Sequence, residues 1–187
     1  HRFSEVYPNE TVGGKSVFYG GASLRLRETD FDLWPFSYAE LAPYYEQAEL
    51  LLGVHGTAGA DPHEPPGLHA YPFPSAELSN PAQRLQDAAD SLGYQPFPIP
   101  LAINFSDDRR TRCVRCNTCD GFPCRIEAKN DLAATVVRNA QRRGLHVATG
   151  ALAQQLTVED EHARAVQYLD TESGQEHSVT GDRIVVS

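Results

Sequence analysis

Apolar residues recur every three to four positions in three stretches of the chain. The pattern predicts helices over residues 37–53, 80–93 and 128–143, each of which ends at or directly before a glycine. The first helix begins with Ser37 and Glu40, whose spacing is that of a capping box. We therefore expect three helices separated by irregular segments.

The period of apolar residues falls towards two after the third helix. This change predicts strands over residues 145–149, 152–159, 163–170 and 177–180. Polar turns separate these stretches, so the strands are expected to form a β-meander. The apolar run at Arg183–Ser187 predicts the start of a further, buried strand.

Residues 54–79 lie between the first two helices and show no sustained period. They are rich in Gly, Pro and His and are predicted to form a long loop; loops of more than ~15 residues are usually functional or mobile. The histidines of this stretch, His55, His63 and His69, are interpreted as solvent-exposed loop residues and not as catalytic bases.

Composition and charge exclude several classes of protein. The 187 residues, 41% hydrophobic and 22% charged, suit one globular unit or part of a larger one. A net charge of −9 argues against nucleic acid as a partner. We find no uncharged apolar run long enough for a transmembrane segment. Because the chain lacks Met and stops within an apolar run, we interpret both ends as cut.

Four cysteines lie within twelve residues, at Cys113, Cys116, Cys119 and Cys124. A disulfide scaffold would spread its cysteines along the chain, so this clustering favours metal or redox chemistry in a reducing compartment, and we predict a cytoplasmic location. The spacing is close to the bacterial ferredoxin run. Three alternatives stay open: an iron–sulfur cluster, a zinc or other structural site, and thiols or local disulfides without metal.

Basic residues crowd the first of these cysteines. We interpret them as a solvated surface run that pairs with neighbouring carboxylates, because exposed charges cost little and need no special role. The arginines are Arg109, Arg110, Arg112 and Arg115, and the carboxylates are Asp107 and Asp108.

A glycine-rich run, Val12-Gly13-Gly14-Lys15-Ser16, stands near the start of the chain. It matches neither the Walker loop nor the GxGxxG fingerprint. Its spacing leaves two interpretations open, a turn between strands or a segment whose backbone approaches a flat cofactor closely.

The run and its continuation, VGGKSVFYGGASLRLRETDF followed by WPFSYAELAPYYEQAELLLGVHG, resemble the flavin-side segment of glucose-methanol-choline (GMC) oxidoreductases. The resemblance continues through the cysteines and GLHVATGALAQQL and covers nearly the whole chain. It implies FAD as cofactor. The residues implied to approach the flavin are Gly13, Gly14, Lys15, Ser16, Tyr19, Gly20 and Ala22, with Ala153 on the adenine side.

The resemblance also implies the fold class. We expect an α/β (α+β) chain: a partial FAD-binding domain of the GMC type with connecting helices, a cysteine-rich loop and a C-terminal β-meander. The implied division is a flavin-proximal segment at 1–36, a substrate-side and connecting region at 37–124, and an incomplete return to the FAD-binding domain at 125–187.

The function implied by the resemblance is that of a fragment of an FAD-dependent oxidoreductase. Such an enzyme oxidises alcohol groups of sugar, sterol or polyol-like molecules by hydride transfer to flavin, with an external electron acceptor as a further partner. The family's catalytic histidine is expected outside this chain, so no catalytic residue is assigned. Some members carry an iron–sulfur cluster on a cysteine-rich segment. The alternative function is therefore an electron-transfer module built on the four cysteines.

Overall fold

The computed structural model describes residues 10–65 and 69–186. The chain divides into two compact units, the first ending at Arg143 and the second beginning at Gly144. Helices in the first unit and a three-stranded antiparallel sheet in the second make this a mixed α and β protein, in agreement with the predicted class. Within the described ranges, no helix combines the length and the apolar character needed to cross a membrane.

Short helical turns alternate with longer helices in the first unit, and the second unit holds the strands. The elements are 3-10 turns at Gly14–Val17 and Glu28–Phe31, α1 at Tyr38–Leu52, α2 at Asn80–Ser91, a π turn at Ala133–Val137 that leads into α3 at Arg138–Gln141, β1 at Ala151–Glu159, β2 at His162–Asp170 and β3 at Glu176–Thr180.

The first predicted helix is confirmed with its capping box. The hydroxyl of Ser37 accepts the main-chain N–H of Glu40 at 3.4 Å, and the Glu40 carboxylate accepts the N–H of Ser37 at 2.8 Å. Gly53 ends the helix with φ +59°, a left-handed conformation that costs glycine little. Local hydrogen bonds at both ends therefore define α1.

Helix α2 is confirmed: it begins at Asn80, as predicted, and ends at Ser91, two residues before the end of the predicted range. Ser79 is the N-cap, and its hydroxyl accepts the N–H of Ala82 at 3.4 Å. None of its residues is buried, and Leu85 and Leu92 are 72% and 75% exposed. These two leucines of the predicted apolar face are thus largely open to solvent.

The third predicted helix begins later than its apolar pattern indicated. Residues 128–131 are buried and not helical, and Asp131 provides the helix cap by accepting the N–H of Ala134 at 2.7 Å. The main chain of this stretch instead pairs with residues 102–104: Asn104 N–H donates to Ala128 at 2.8 Å. Burial against another segment overrides the local helical pattern here.

The core of the first unit contains isolated β-bridges between segments that are distant in sequence. His55 exchanges two 2.9 Å main-chain hydrogen bonds with Leu101, and Val54, Tyr71 and Ala102 pack together beside this pair. The start of the predicted long loop is therefore core structure. The prediction that His55 is solvent-exposed is wrong, because only 2% of it is accessible.

The two other loop histidines differ from each other. His63 is exposed as predicted, whereas His69 is only half-exposed. The Nε2 atom of His69 lies 3.0 Å from a carboxylate oxygen of Glu49, which ties this part of the loop to α1. A loop assignment from composition does not distinguish these environments.

The β-meander of the second unit is confirmed. The strands run in the order β1-β2-β3, all antiparallel, and a register shift follows Ala153. The predicted strand at 145–149 is wrong, and no strand forms in the described part of the final run, residues 183–186. Ala165 is the one buried residue described in this unit, at 7% exposure.

The Asp131 cap generates a test of the helix start. Replacing Asp131 by Ala should lower the free energy of unfolding by about 1 kcal/mol, because the Ala134 N–H loses its acceptor. Asp131→Asn keeps a side-chain oxygen and should cost only a few tenths of that amount. Urea unfolding would measure both, and equal losses would contradict the assigned role of the side-chain oxygen.

Candidate functional site

The glycine-rich segment forms a tight turn stabilised by one serine. Gly13 and Gly14 have φ angles of +94° and +54° and precede the first 3-10 turn. Ser16 Oγ donates to the carbonyl of Gly13 at 2.6 Å and accepts the N–H of Leu132 at 2.9 Å. The serine hydroxyl therefore links the turn to the start of the third helical stretch.

The glycines of this segment serve two different purposes. A Cβ on Gly13 would lie 2.9 Å from the Cβ of Ala133, and one on Gly21 would lie 2.8 Å from Ile103 Cγ1, so the chain's own packing excludes larger residues there. A Cβ on Gly14 would meet nothing within 4 Å. The side chain of the next residue, Lys15, is exposed. Unfilled space thus lies beside the backbone of Gly14, and the exposed side chain of Lys15 follows it.

Three further predicted contacts differ in exposure. Tyr19 donates its hydroxyl to the Asn130 carbonyl at 2.8 Å, and burial, followed by the charge of Asp131, raises the pKa of Tyr19 to about 12. The phenol is therefore an internal hydrogen-bond donor. A Cβ on Gly20 would lie 3.7 Å from the Cβ of Asp120, whereas Ala22 is exposed.

Ala153 lies in β1, in the second unit, and is exposed opposite Tyr168. It therefore has accessible backbone beside a bulge in the sheet. Its contact with the adenine side of FAD, like the flavin contacts of the seven residues in the first unit, stays a prediction.

Lys129 joins the glycine-rich segment to the cysteines. Its side chain is fully buried, and its ammonium donates to four main-chain carbonyls at 2.7 to 3.0 Å. Those carbonyls belong to Val17, Tyr19, Cys119 and Phe122. This role was not predicted from the sequence, because a lysine within an apparent helix gives no sign of burial. The available signal was the adjacent Asn130-Asp131 pair, which is typical of a helix cap.

The cysteines lie in a segment without helix or strand. All four thiols are free. Burial is the main cause that raises the pKa of Cys119, whereas hydrogen bonds from Thr118 lower the pKa of Cys116. Across residues 10–65 and 69–186, no three His, Cys, Asp or Glu side chains form a group that could hold a metal ion. As arranged here, the described side chains do not form the group that the predicted metal ligation by Cys113, Cys116, Cys119 and Cys124 requires.

A large apolar groove runs beside the cysteine segment. Its volume is about 880 Å³, in the range of ligand pockets, and its walls come from α2, the proline-rich stretch 96–101 and the cysteine segment. Cys113, Arg115 and Cys119 are among the residues that line it. Arg115 has φ +55°, which is uncommon for a residue with a side chain.

His55 lies in the wall of this groove and is held by two hydrogen bonds. Its Nδ1 lies 2.9 Å from the carbonyl of Pro74, and the N–H of Phe105 donates to Nε2 at 3.4 Å. This pattern requires the proton on Nδ1 and a neutral ring. Burial lowers the pKa of His55 in agreement with that state. Both ring nitrogens are occupied, so the residue is structural.

A buried ionic cluster that the sequence analysis also missed surrounds Arg25. The guanidinium makes two 2.6 Å contacts with Glu49 and one of 3.0 Å with Glu64, and it lies 4.1 Å above the Tyr71 ring. Burial is the main cause that raises the pKa of the Tyr71 phenol, which donates to Glu64 at 2.9 Å. The cluster connects α1 with the segment that follows Gly56 and supports the core beneath the glycine-rich run.

The predicted surface arginines are confirmed at two positions. Arg109 contacts Asp107 at 2.8 Å, and Arg112 contacts Asp108 at 2.5 Å. Hydrogen bonds from Arg109 lower the pKa of Asp107 to about 2. These pairs are largely solvated, so they contribute little to stability.

Comparison with known proteins places the chain among the oxidoreductases. Residues 4–187 match the family model described as GMC oxidoreductase, and the chain belongs to that family. The resemblance inferred from the sequence is thereby confirmed.

Curated relatives share moderate identity with the chain. It is 36% identical to the 6'''-hydroxyparomomycin C oxidase of Streptomyces lividus over 97% of the chain and 36% of that protein. It is 39% identical to the paromamine 6'-oxidase of Streptomyces fradiae over 68% of the chain and 25% of that protein. It is 26% identical to the 2-methyl-1,2-propanediol dehydrogenase of Mycolicibacterium austroafricanum over 99% of the chain and 35% of that protein. The chain thus spans about a quarter to a third of these relatives.

The environment of His55 generates a pH test. Its folded-state pKa is below the ordinary 6.5, so the unfolded chain takes up the proton first as the pH falls. Its contribution to stability is therefore complete above about pH 6.5 and declines as the pH falls towards the folded pKa. Urea unfolding between pH 7.5 and 5 should show a shallower loss in His55→Gln than in the unmodified protein.

The exposed His63 provides the matched control. His63→Gln should keep the pH dependence of the unmodified protein, because this side chain is already exposed to solvent in the folded protein. If His55→Gln left the dependence of the free energy of unfolding on pH unchanged, this result would contradict a neutral, buried imidazole at residue 55.

Proposed function

We propose that this chain is part of an FAD-dependent oxidoreductase that oxidises an alcohol group of a small sugar-like, sterol or polyol molecule. The observation that carries the proposal is the match of residues 4–187 to the flavin-dependent GMC family. In such an enzyme FAD accepts a hydride from the alcohol carbon. The residues of this chain bind and orient the cofactor, and the catalytic base belongs to another part of the full protein.

The glycine-rich segment is the proposed cofactor-binding element. Gly14 and Lys15 support this role most directly, because backbone and ammonium are open to a ligand there. A lysine ammonium suits the negative charge of a pyrophosphate. Gly13 and Ser16 keep the turn in its conformation. Tyr19, Gly20, Ala22 and Ala153 complete the proposed FAD contacts.

The relatives' names support the choice of alcohol substrate. Two of them are oxidases named for paromamine and a hydroxyparomomycin, and another is a diol dehydrogenase. We therefore include hydroxyl groups of paromamine-like compounds and vicinal diols in the proposed substrate class. An external electron acceptor, a cytoplasmic location and the three-part division at residues 36 and 124 belong to the same proposal.

A cysteine-based electron relay is the second candidate, and it is favoured only by the clustering of the four thiols in sequence. Iron and acid-labile sulfide assays on anaerobically purified full-length protein test it directly. Absence of both would exclude an iron–sulfur cluster.

The full-length protein should contain FAD that paromamine or 2-methyl-1,2-propanediol reduces in the absence of oxygen. Bleaching of the visible flavin absorbance measures this reaction. Gluconate and fructose extend the panel, since dehydrogenases named for them are also relatives. A full-length protein without flavin, or with flavin that no alcohol of the panel reduces, would contradict the proposal.

Gly14 allows a sharper test of the binding segment. Gly14→Ala places a methyl group on the open side of the turn and should weaken FAD binding by about tenfold, because the added carbon separates backbone and ligand. Gly59→Ala is the matched control, since Gly59 also has positive φ and no neighbour within 4 Å. Equal FAD affinity in both full-length variants, measured by flavin fluorescence, would remove Gly14 from the site.

A further inference from the structure

The glycine-rich and cysteine segments are attached to each other through a buried junction. Lys129 donates to Val17 and Tyr19 on one side and to Cys119 and Phe122 on the other. The N–H of Gly121 adds a direct 2.7 Å bond to the carbonyl of Phe18. One direct hydrogen bond and four bonds from Lys129 therefore join residues 119–122 to residues 17–19.

The chemistry of the ammonium makes this junction strong. Lysine has three N–H donors, and here they serve four carbonyl oxygens without water, because the side chain is 0% exposed. Hydrogen bonds from a charged donor are stronger than neutral ones, and a buried charge that loses its acceptors is costly. Movement of either segment away from the ammonium is thus opposed on both sides.

Neither segment has regular secondary structure to hold it alone. The glycine-rich segment is a single 3-10 turn of four residues, Gly14–Val17. The cysteine segment contains residues with φ of +55°, +59° and +83° at Arg115, Asn117 and Gly121. Their conformations consequently depend on contacts such as the junction.

The junction also reaches the apolar groove. Cys119 lines the groove, and its carbonyl accepts from Lys129 at 2.8 Å. Anything that displaces Cys119 in the groove therefore pulls on the ammonium that holds Val17 and Tyr19.

We propose that Lys129 is a positioning residue that couples the cysteine segment and its groove to the backbone of residues 17–19. The proposal rests on the proposed function for one point, that the backbone of residues 17–19 adjoins the FAD site. The coupling transmits displacement of residues 119–122 to the cofactor-binding turn, and it needs no metal at the cysteines.

Amide hydrogen exchange in the full-length protein tests the coupling independently of flavin. The reporters are the Phe18 and Tyr19 amides, which donate to the Lys15 carbonyl at 3.0 Å. Lys129→Met removes the ammonium, and Gly121→Ala strains the backbone of the residue whose N–H donates to Phe18, without a clash, because no atom lies within 4 Å of the new methyl. Both variants should speed exchange of the two amides by about tenfold.

Gly93→Ala is the matched control. Gly93 has φ +80°, close to the +83° of Gly121, and equally open surroundings, but it follows α2 and does not contact the junction. Its variant should leave the Phe18 and Tyr19 amides unchanged. Gly121→Ala also keeps the test decisive if Lys129→Met does not fold. Unchanged exchange in Gly121→Ala, or an equal increase in Gly93→Ala, would overturn the coupling.

A second readout addresses positioning of the cofactor. In the flavin-loaded full-length protein, Gly121→Ala should change the visible circular dichroism of the flavin and lower its reduction rate at saturating alcohol with KM unchanged. Faster amide exchange with unaltered flavin signals would overturn the positioning role. If the unmodified protein holds no flavin, the proposed function fails, and the exchange data alone decide whether the coupling exists.

Discussion

The buried ammonium of Lys129 is the interaction on which the first unit most depends. It is fully enclosed, and its four carbonyl acceptors come from two segments that lie about a hundred residues apart in the chain. A buried charge is tolerable only where such acceptors replace water. The stretch at residues 128–131, which pairs with residues 102–104 through its main chain, carries this side chain into the space between the two segments.

Internal contacts of the glycine-rich segment restrict where a cofactor can approach. Gly13 and Gly21 are small because Ala133 and Ile103 pack against them, and the hydroxyls of Ser16 and Tyr19 are engaged with the protein itself. These residues act as supports, and Gly14 with Lys15 provides the open surface. The proposed FAD site therefore consists of accessible residues that bind the cofactor and of supporting residues that hold the turn in place.

Much of the candidate site was accessible from sequence only through family resemblance. The order of the glycine-rich run and the cysteines identified the family, but spacing alone left the purpose of both open. The burial of Arg25 and Lys129 was not predicted, because a single basic residue carries no local sign of burial. Their partners, such as Glu49 and Cys119, are distant in sequence, so no periodicity connects them.

The sequence by itself determined α1, α2, the β-meander and membership of the GMC family. Their signals are local: the Ser37–Glu40 capping box joins residues three apart, and polar turns join neighbouring strands. Only the tertiary structure decided the late start of the third helix and the burial of His55. Those outcomes depend on main-chain pairing with residues 101–104, whose free energy outweighs local preference and cannot be read from any short stretch of the chain.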